Sequence, residues 1–217
     1  MLRAIIFDFD GVLCESVDVK TKGFRAVFSD HPQYLDDIVE YHEINGGISR
    51  YEKFRYIYKN FLKKELTQQA LNELASRFEK EILAKVIEAP LVEGAVEFLE
   101  KYQKRLLFFV VTATPEEEIK IILKEKGLSN YFSEVYGSPR KKVDLIRLIL
   151  KQNQWKSENV LFVGDSINDF DASQEAGVRF IARTTEINTL IFDKVASYNK
   201  IKTIHNLDTL ILKEKLV

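Results

Sequence analysis

Cysteine is nearly absent, with Cys14 the only one in 217 residues. That excludes an internal disulfide and suits a reducing compartment, the cytoplasm. Long apolar runs are missing too, none approaching the roughly 18–20 residues that a membrane-spanning helix needs. Neither sign of charge dominates, since 32 Lys and Arg face 33 Asp and Glu for a net charge of −1. A chain so balanced carries no basic field for nucleic acid. Runs such as Lys63-Lys64-Glu65 and Glu116-Glu117-Glu118 read as solvated helix faces. Met1-Leu2-Arg3 leads straight into an apolar segment, leaving no stretch there for a signal peptide. Internal repeats and low-complexity linkers are also lacking. The expectation is a soluble, cytoplasmic protein with no nucleic-acid and no membrane partner.

What is present is ordinary core material. Hydrophobic residues make up 46% and charged residues 30%, enough for one sizeable domain or a domain with a smaller companion. Short apolar segments at 4–7, 106–111, 134–136, 160–163 and 178–181 read as strands. Helical patterns alternate with them. Thr114-Pro115-Glu116-Glu117 reads as an N-cap, a first-turn proline and a capping-box acid. Ile119, Ile122 and Leu123 then make an apolar stripe before Gly127. Two more helices are predicted over 141–150 and 167–176, the latter closed by Gly177. The alternation predicts an α/β fold with a parallel sheet covered on both faces.

One stretch breaks that rhythm. From about Val17 to Val86 only helical patterns occur, at 21–28, 35–41, 51–62 and 67–83, with Ser49 and Glu52 as a capping box before the third. A crossover between parallel strands needs one helix. Four therefore predict a separate α-helical cap domain, 16–87, inserted into an α/β core domain made of 1–15 and 88–217.

Polar chemistry gathers where the strands end. The first runs into Asp8-Phe9-Asp10-Gly11, the second into Thr112-Ala113-Thr114 and the fourth into Gly164-Asp165-Ser166-Ile167-Asn168-Asp169. Between them, Gly137-Ser138-Pro139-Arg140-Lys141-Lys142 opens a helix with cationic side chains. In a parallel sheet these ends share one edge, where open α/β sheets hold their ligands. Uncompensated carboxylates beside an apolar strand are costly, and a divalent metal is the simplest compensation. Carboxylates, hydroxyls, an ammonium and helix N-terminal amides together suit Mg2+ with a phosphate group.

These segments, in this order, resemble the motifs of the haloacid dehalogenase-like (HAD) hydrolase superfamily, in its phosphatase branch with an α-helical cap. Phe7-Asp8-Phe9-Asp10-Gly11-Val12-Leu13 is similar to the first motif, Thr112 to the second, Lys142 to the third and Gly164 to Asp169 to the fourth. The resemblance covers essentially the whole chain. It implies a Rossmann-like parallel core, a Mg2+ cofactor and hydrolysis of a small phosphorylated metabolite, by a monomer or homodimer. Phosphoglycolate is the family's default substrate. A phosphosugar mutase like β-phosphoglucomutase is the alternative, followed by a catalytically inactive binding protein on the same fold. Asp10 argues against dehalogenation, because true haloacid dehalogenases lack that second aspartate.

The resemblance also assigns roles. Asp8 becomes the nucleophile, forming an aspartyl-phosphate. Asp10 moves protons and lends the metal its backbone carbonyl, while Asp8 and Asp165 supply carboxylate ligands. Thr112 and the Ala113 amide hold the phosphoryl oxygens, and Lys142 offsets their charge, with Lys141 as the neighbouring alternative. Asp169 stands as a direct ligand, an acid behind the ligands that orients Lys142, or the acid of a capping box with Ser166. In the cap, the 45–50 stretch is expected to face the site. Gly47 would allow close backbone approach, and Arg50 would pair with a substrate carboxylate or second phosphate. Lys20, which stands where such mutases carry a cap histidine, is a similar candidate.

The remaining conspicuous residues read as structural. His31, His42 and His205 share no metal-ligand spacing, and nothing marks Cys14 as a nucleophile. Trp155 reads as a packing anchor. Tyr51, Phe54, Tyr58 and Phe61 recur at helical spacing, as cap core.

Overall fold

The computed structural model describes residues 1–185, 188, 189, 192 and 202–209. Strand β1 (Ala4–Phe7) is four residues long and buried throughout, so it needs cover on both faces. It pairs in parallel with β2 (Leu107–Pro115) and β4 (Val160–Gly164), placing Phe7 opposite Val110 and Val163. β3 (Glu134–Ser138) adds beyond β2, while β5 (Arg179–Arg183) and β6 (Lys202–Ile204) add beyond β4. The parallel sheet therefore runs β3-β2-β1-β4-β5-β6, and its winding reverses between β1 and β4. Such a reversal opens a crevice at the carboxyl ends of the strands.

Alternation along β1 divides the core. Ile5 and Phe7 face a cluster with α5 (Ala95–Tyr102) and α6 (Glu116–Glu125), through Phe98, Leu99, Ile119 and Ile122. Ala4 and Ile6 face the other cluster, with Leu145, Ile146 and Ile149 of α7 (Lys142–Gln152) and the flank of α8 (Ile167–Ala176). Trp155 packs there edge-on to Phe109, ring centroids 6.1 Å apart.

Four α-helices stand between β1 and α5: α1 (Val17–Val27), α2 (Leu35–Ile44), α3 (Arg50–Asn60) and α4 (Gln68–Glu88). Phe24, Phe28, Phe54 and Phe78 form their centre, with Phe24 and Phe78 rings 4.9 Å apart. Tyr51, Tyr58 and Phe61 pack half-buried around it. Gly23 lets α1 lie against α4, since a Cβ there would stand 2.4 Å from Ile82 Cγ2. Their apolar interior continues without a break into the sheet face that carries Ile5 and Phe7.

The structure departs from the sequence pattern in three places. Helix α5 lies outside the helical patterns read from the sequence, although Ala95, Phe98, Leu99 and Tyr102 bury one face at helical spacing. Strand β6 has one buried residue in three and so too short a pattern to read. Thr114 does not cap α6. β2 continues to Pro115, which pairs with Ser138, and the helix begins at Glu116 without a side-chain cap.

Candidate active site

The geometry begins at the end of β1, where the Asp8 amide donates to the Val163 carbonyl (2.9 Å). The chain then folds back on itself. The Leu13 and Cys14 amides donate to the Phe9 carbonyl (2.9 and 3.1 Å), and the Gly11 amide donates to the Cys14 carbonyl (2.8 Å). Gly11 takes φ +73°, and a Cβ on it would fall 2.0 Å from Asp165 Oδ2. Only glycine admits both that backbone and that carboxylate. Arg183, at the end of β5, ties the turn down by donating to the Gly11 carbonyl (3.1 Å) and to both carboxylate oxygens of Glu15.

Asp8 is 3% exposed. Its Oδ1 accepts from the Phe9 amide and its Oδ2 from the Lys142 ammonium, both at 2.6 Å. Lys142 also donates to Asp169 Oδ1 (2.5 Å). The other Asp169 oxygen accepts from the Ser166 hydroxyl (2.6 Å) and amide (3.2 Å), and Ser166 Oγ accepts from the Asp169 amide. Asp169 therefore caps α8 and orients Lys142 at once, because each of its oxygens serves one task. Lys141 flanks the helix and is exposed. Asp10 accepts from the Ser16 hydroxyl (2.6 Å), the Thr114 hydroxyl (3.0 Å) and the Lys20 ammonium.

Burial, reinforced by Asp169 and Asp10 and opposed by Lys142, pushes Asp8 up to about 6. Burial with the Asp169 and Asp8 charges raises Asp165 well above the usual carboxylate range. Asp10 goes the other way. Burial disfavours its charge, but the Lys20 ammonium and the three hydrogen bonds outweigh that and lower it. For Lys142, burial is outweighed by Asp169 and Asp8, which raise it. Cys14 is fully buried and its thiol is pushed up by that burial, so the reactive thiolate is suppressed.

Asp8, Asp165 and Asp169 each offer a carboxylate oxygen within 4.8 Å of the others, an arrangement that could hold a metal ion. Asp169 is committed to Lys142 and Ser166. Among the described residues, the Asp165 carboxylate and the Asp10 backbone carbonyl accept no hydrogen bond. Two carboxylates and a carbonyl with open lone pairs are hard oxygen donors, and they fit a hard divalent cation.

A cavity of about 380 Å³ lies between the sheet edge and the inserted helices. Asp8, Asp10, Asp165, Thr112 and Ala113 line its floor, and Lys20, Gly47 and Arg50 line it from the helices. Lys142 and Asp169 stand behind Asp8. Thr112 is buried, with its Oγ accepting from the Thr114 amide (3.3 Å). Gly47 has φ +76°, and a Cβ on it would lie 2.4 Å from Ser166 Oγ. The Gly46 carbonyl accepts from Asn168 Nδ2 (2.6 Å). Arg50 lies over the Phe78 ring and donates to Glu118 Oε1 (2.6 Å), both side chains buried. Glu118 thus corrects the solvated reading of its acidic run. Glu117 is exposed, but Glu118 turns inward beside Ile119.

The motif reading missed Thr114, Arg183, His42 and Lys53. Arg183 ends a strand on the same edge, the one signal available for it. His42 and Lys53 pair across two helices, Lys53 donating to His42 Nδ1 at 2.9 Å. Burial, with Lys53 and Lys20 nearby, lowers His42 to about 2. Below pH 6.5 the unfolded chain binds a proton that the folded His42 refuses, so this term costs stability as pH falls. Replacing His42 with Asn should therefore make the protein less acid-sensitive. The wild-type-minus-variant difference should shift by about 2 kcal/mol between pH 7 and 5, measured by urea unfolding.

The protein family described as "Haloacid dehalogenase-like hydrolase" matches residues 5–183. The chain belongs to that family. It is 30% identical over 189 residues to a phosphoglycolate phosphatase of Vibrio cholerae, covering 81% of each chain. It is also 26% identical over 189 residues to a phosphorylated carbohydrates phosphatase of Thermotoga maritima, covering 83% of this chain and 84% of that one. Its fold is similar to that of a haloacid dehalogenase-like hydrolase of Streptococcus pneumoniae, with a TM-score of 0.71 at 20% identity over 98% of this chain and 99% of the other. This haloacid dehalogenase-like protein is a phosphoric monoester hydrolase. No described helix is long and apolar enough to cross a membrane.

Proposed function

We propose that the protein is a Mg2+-dependent phosphatase of small phosphorylated metabolites, acting in the cytoplasm through an aspartyl-phosphate on Asp8. One observation carries the reading. The Asp8 carboxylate lines the cavity, held by Lys142 on one oxygen, and lies within 4.8 Å of the open Asp165 carboxylate. Asp8, Asp165 and the Asp10 carbonyl would hold the metal. When bound, Mg2+ neutralises charge, so that a carboxylate can approach a phosphate dianion.

Asp8 attacks phosphorus as the bond to the ester oxygen breaks, and water then cleaves the acyl phosphate. Lys142 steadies Asp8 for attack, and Thr112 with Ala113 holds the phosphoryl oxygens. Asp10, ionised by its partners, is placed to take the proton of the hydrolytic water. To protonate the leaving oxygen it must first gain a proton, which the Lys20 ammonium opposes by holding the Asp10 carboxylate ionised. The four inserted helices act as a cap, 16–87, that excludes water from the cavity. The likeness to phosphoglycolate phosphatases supports a small anionic substrate.

The test is phosphate release from a broad ester panel, with Mg2+ and after chelation. Release should fall about 100-fold or more without the metal, in line with several kcal/mol of charge stabilisation. No release from any ester would overturn the phosphatase reading. Transfer of phosphate to a hexose phosphate, with little free phosphate, would turn it to the mutase.

A further inference from the structure

Resting on the phosphatase reading, we propose that Lys53, together with His42, is the recognition site for a carboxylate group carried by the substrate. Three cations line the cavity from the cap, and two are already matched. Lys20 rests on Asp10, and Arg50 on Glu118. Lys53 is 3% exposed, lines the same cavity as Asp8, and has no carboxylate partner among the described residues.

Its ammonium carries three hydrogens. One goes to His42 Nδ1 (2.9 Å) and one to the His42 carbonyl (3.0 Å), which leaves the third without a described acceptor. Because Nδ1 accepts, the ring proton of His42 sits on Nε2, which has no described acceptor either. His42 lines the cavity and stacks on Phe24 at 4.2 Å, and the Lys53 ammonium lies 5.6 Å from the same ring. A buried ammonium left without a counter-charge is costly, and an incoming anion would supply one. Burial, with Lys20 and Lys142 nearby, lowers Lys53 to about 7, and a bound anion would restore its charge.

The chemistry favours a carboxylate over a second phosphate. One ammonium and one neutral N–H balance a monoanion, whereas a dianion would bring a second charge into the apolar wall of Phe24 and Phe78 with no cation free to meet it. The substrate class is then a short phosphate ester with a carboxylate at its far end.

Binding tests this without turnover. In the Asp8→Asn protein, with Mg2+ present, 2-phosphoglycolate and its uncharged amide, 2-phosphoglycolamide, are titrated calorimetrically. The carboxylate should bind about tenfold more tightly than the amide, the scale of one charge-assisted hydrogen bond. Adding Lys53→Met should bring the ratio close to one while leaving the amide's affinity within about twofold. If the parent shows no preference, or the preference survives Lys53→Met, the proposal is overturned. Thermal melting confirms that the variant is folded, and Lys53→Gln repeats the comparison if it is not. In otherwise wild-type protein, Lys53→Met should raise KM for carboxylate-bearing esters several-fold more than it raises KM for p-nitrophenyl phosphate, and equal effects on both would overturn the proposal. Should no ester be hydrolysed at all, the phosphatase reading falls, while the binding ratio still decides the carboxylate site.

Discussion

Asp8→Asn should abolish phosphate release, with a loss of roughly 1000-fold or more, because no other group replaces a missing nucleophile. The amide can still accept from Phe9, and Lys142 keeps Asp169. The substitution also removes a charge that crowds Asp165 and Asp169. The variant should therefore melt near the wild-type temperature, so that lost activity is not lost fold. Phosphate release and a thermal melt on the same preparation decide it. Activity within tenfold of wild type would mean that Asp8 does not attack.

Lys142→Met should have the largest effect on stability, about 3–5 kcal/mol, the usual cost of removing one partner of a buried ion pair. Lys142 serves two buried carboxylates, and Met leaves both without a cation. The loss should depend on pH. Even with Lys142 present, Asp8 has a folded value raised to about 6. A carboxyl raised on folding contributes stability below its unfolded value, and that stability is lost as pH rises through the folded value. Removing Lys142 takes away what opposes the rise, so the variant should be weakest near pH 8 and recover toward pH 5. Urea unfolding at both values, with chelator, measures it. Equal losses at both would mean that the ion pair is not the cause. Activity should fall as well, since Asp8 would have to lose its proton unaided.

The core and its site edge were legible for a local reason. Ala4 to Phe7 and Val160 to Val163 are apolar runs that only a doubly covered strand can bury. In a parallel sheet, whatever follows each run must lie on the same edge. That rule by itself brings Asp8, Asp10, Thr112 and Asp165 together, and the Ser166–Asp169 capping box falls where its spacing puts it. Where the pattern failed, the competing signal was tertiary. Thr114 carries the marks of a helix cap, yet β2 runs past it to pair Pro115 with Ser138, and its hydroxyl goes to Asp10. Glu118 sits in an acidic run that reads as solvated, and it is buried by an arginine 68 residues away.

The sequence by itself determined the α/β class, the helical insertion and the strand-end acids, because hydrophobic period and turn chemistry are properties of neighbours in the chain. Tertiary structure alone decided which of the cap's cations meets which acid. Arg50 and Lys20, marked as cations for a substrate, are paired within the protein, while Lys53, unremarkable in a polar-looking helix, keeps a donor with no acceptor among the described residues. Pairing depends on how helices from distant segments close over the sheet, and no local spacing records it.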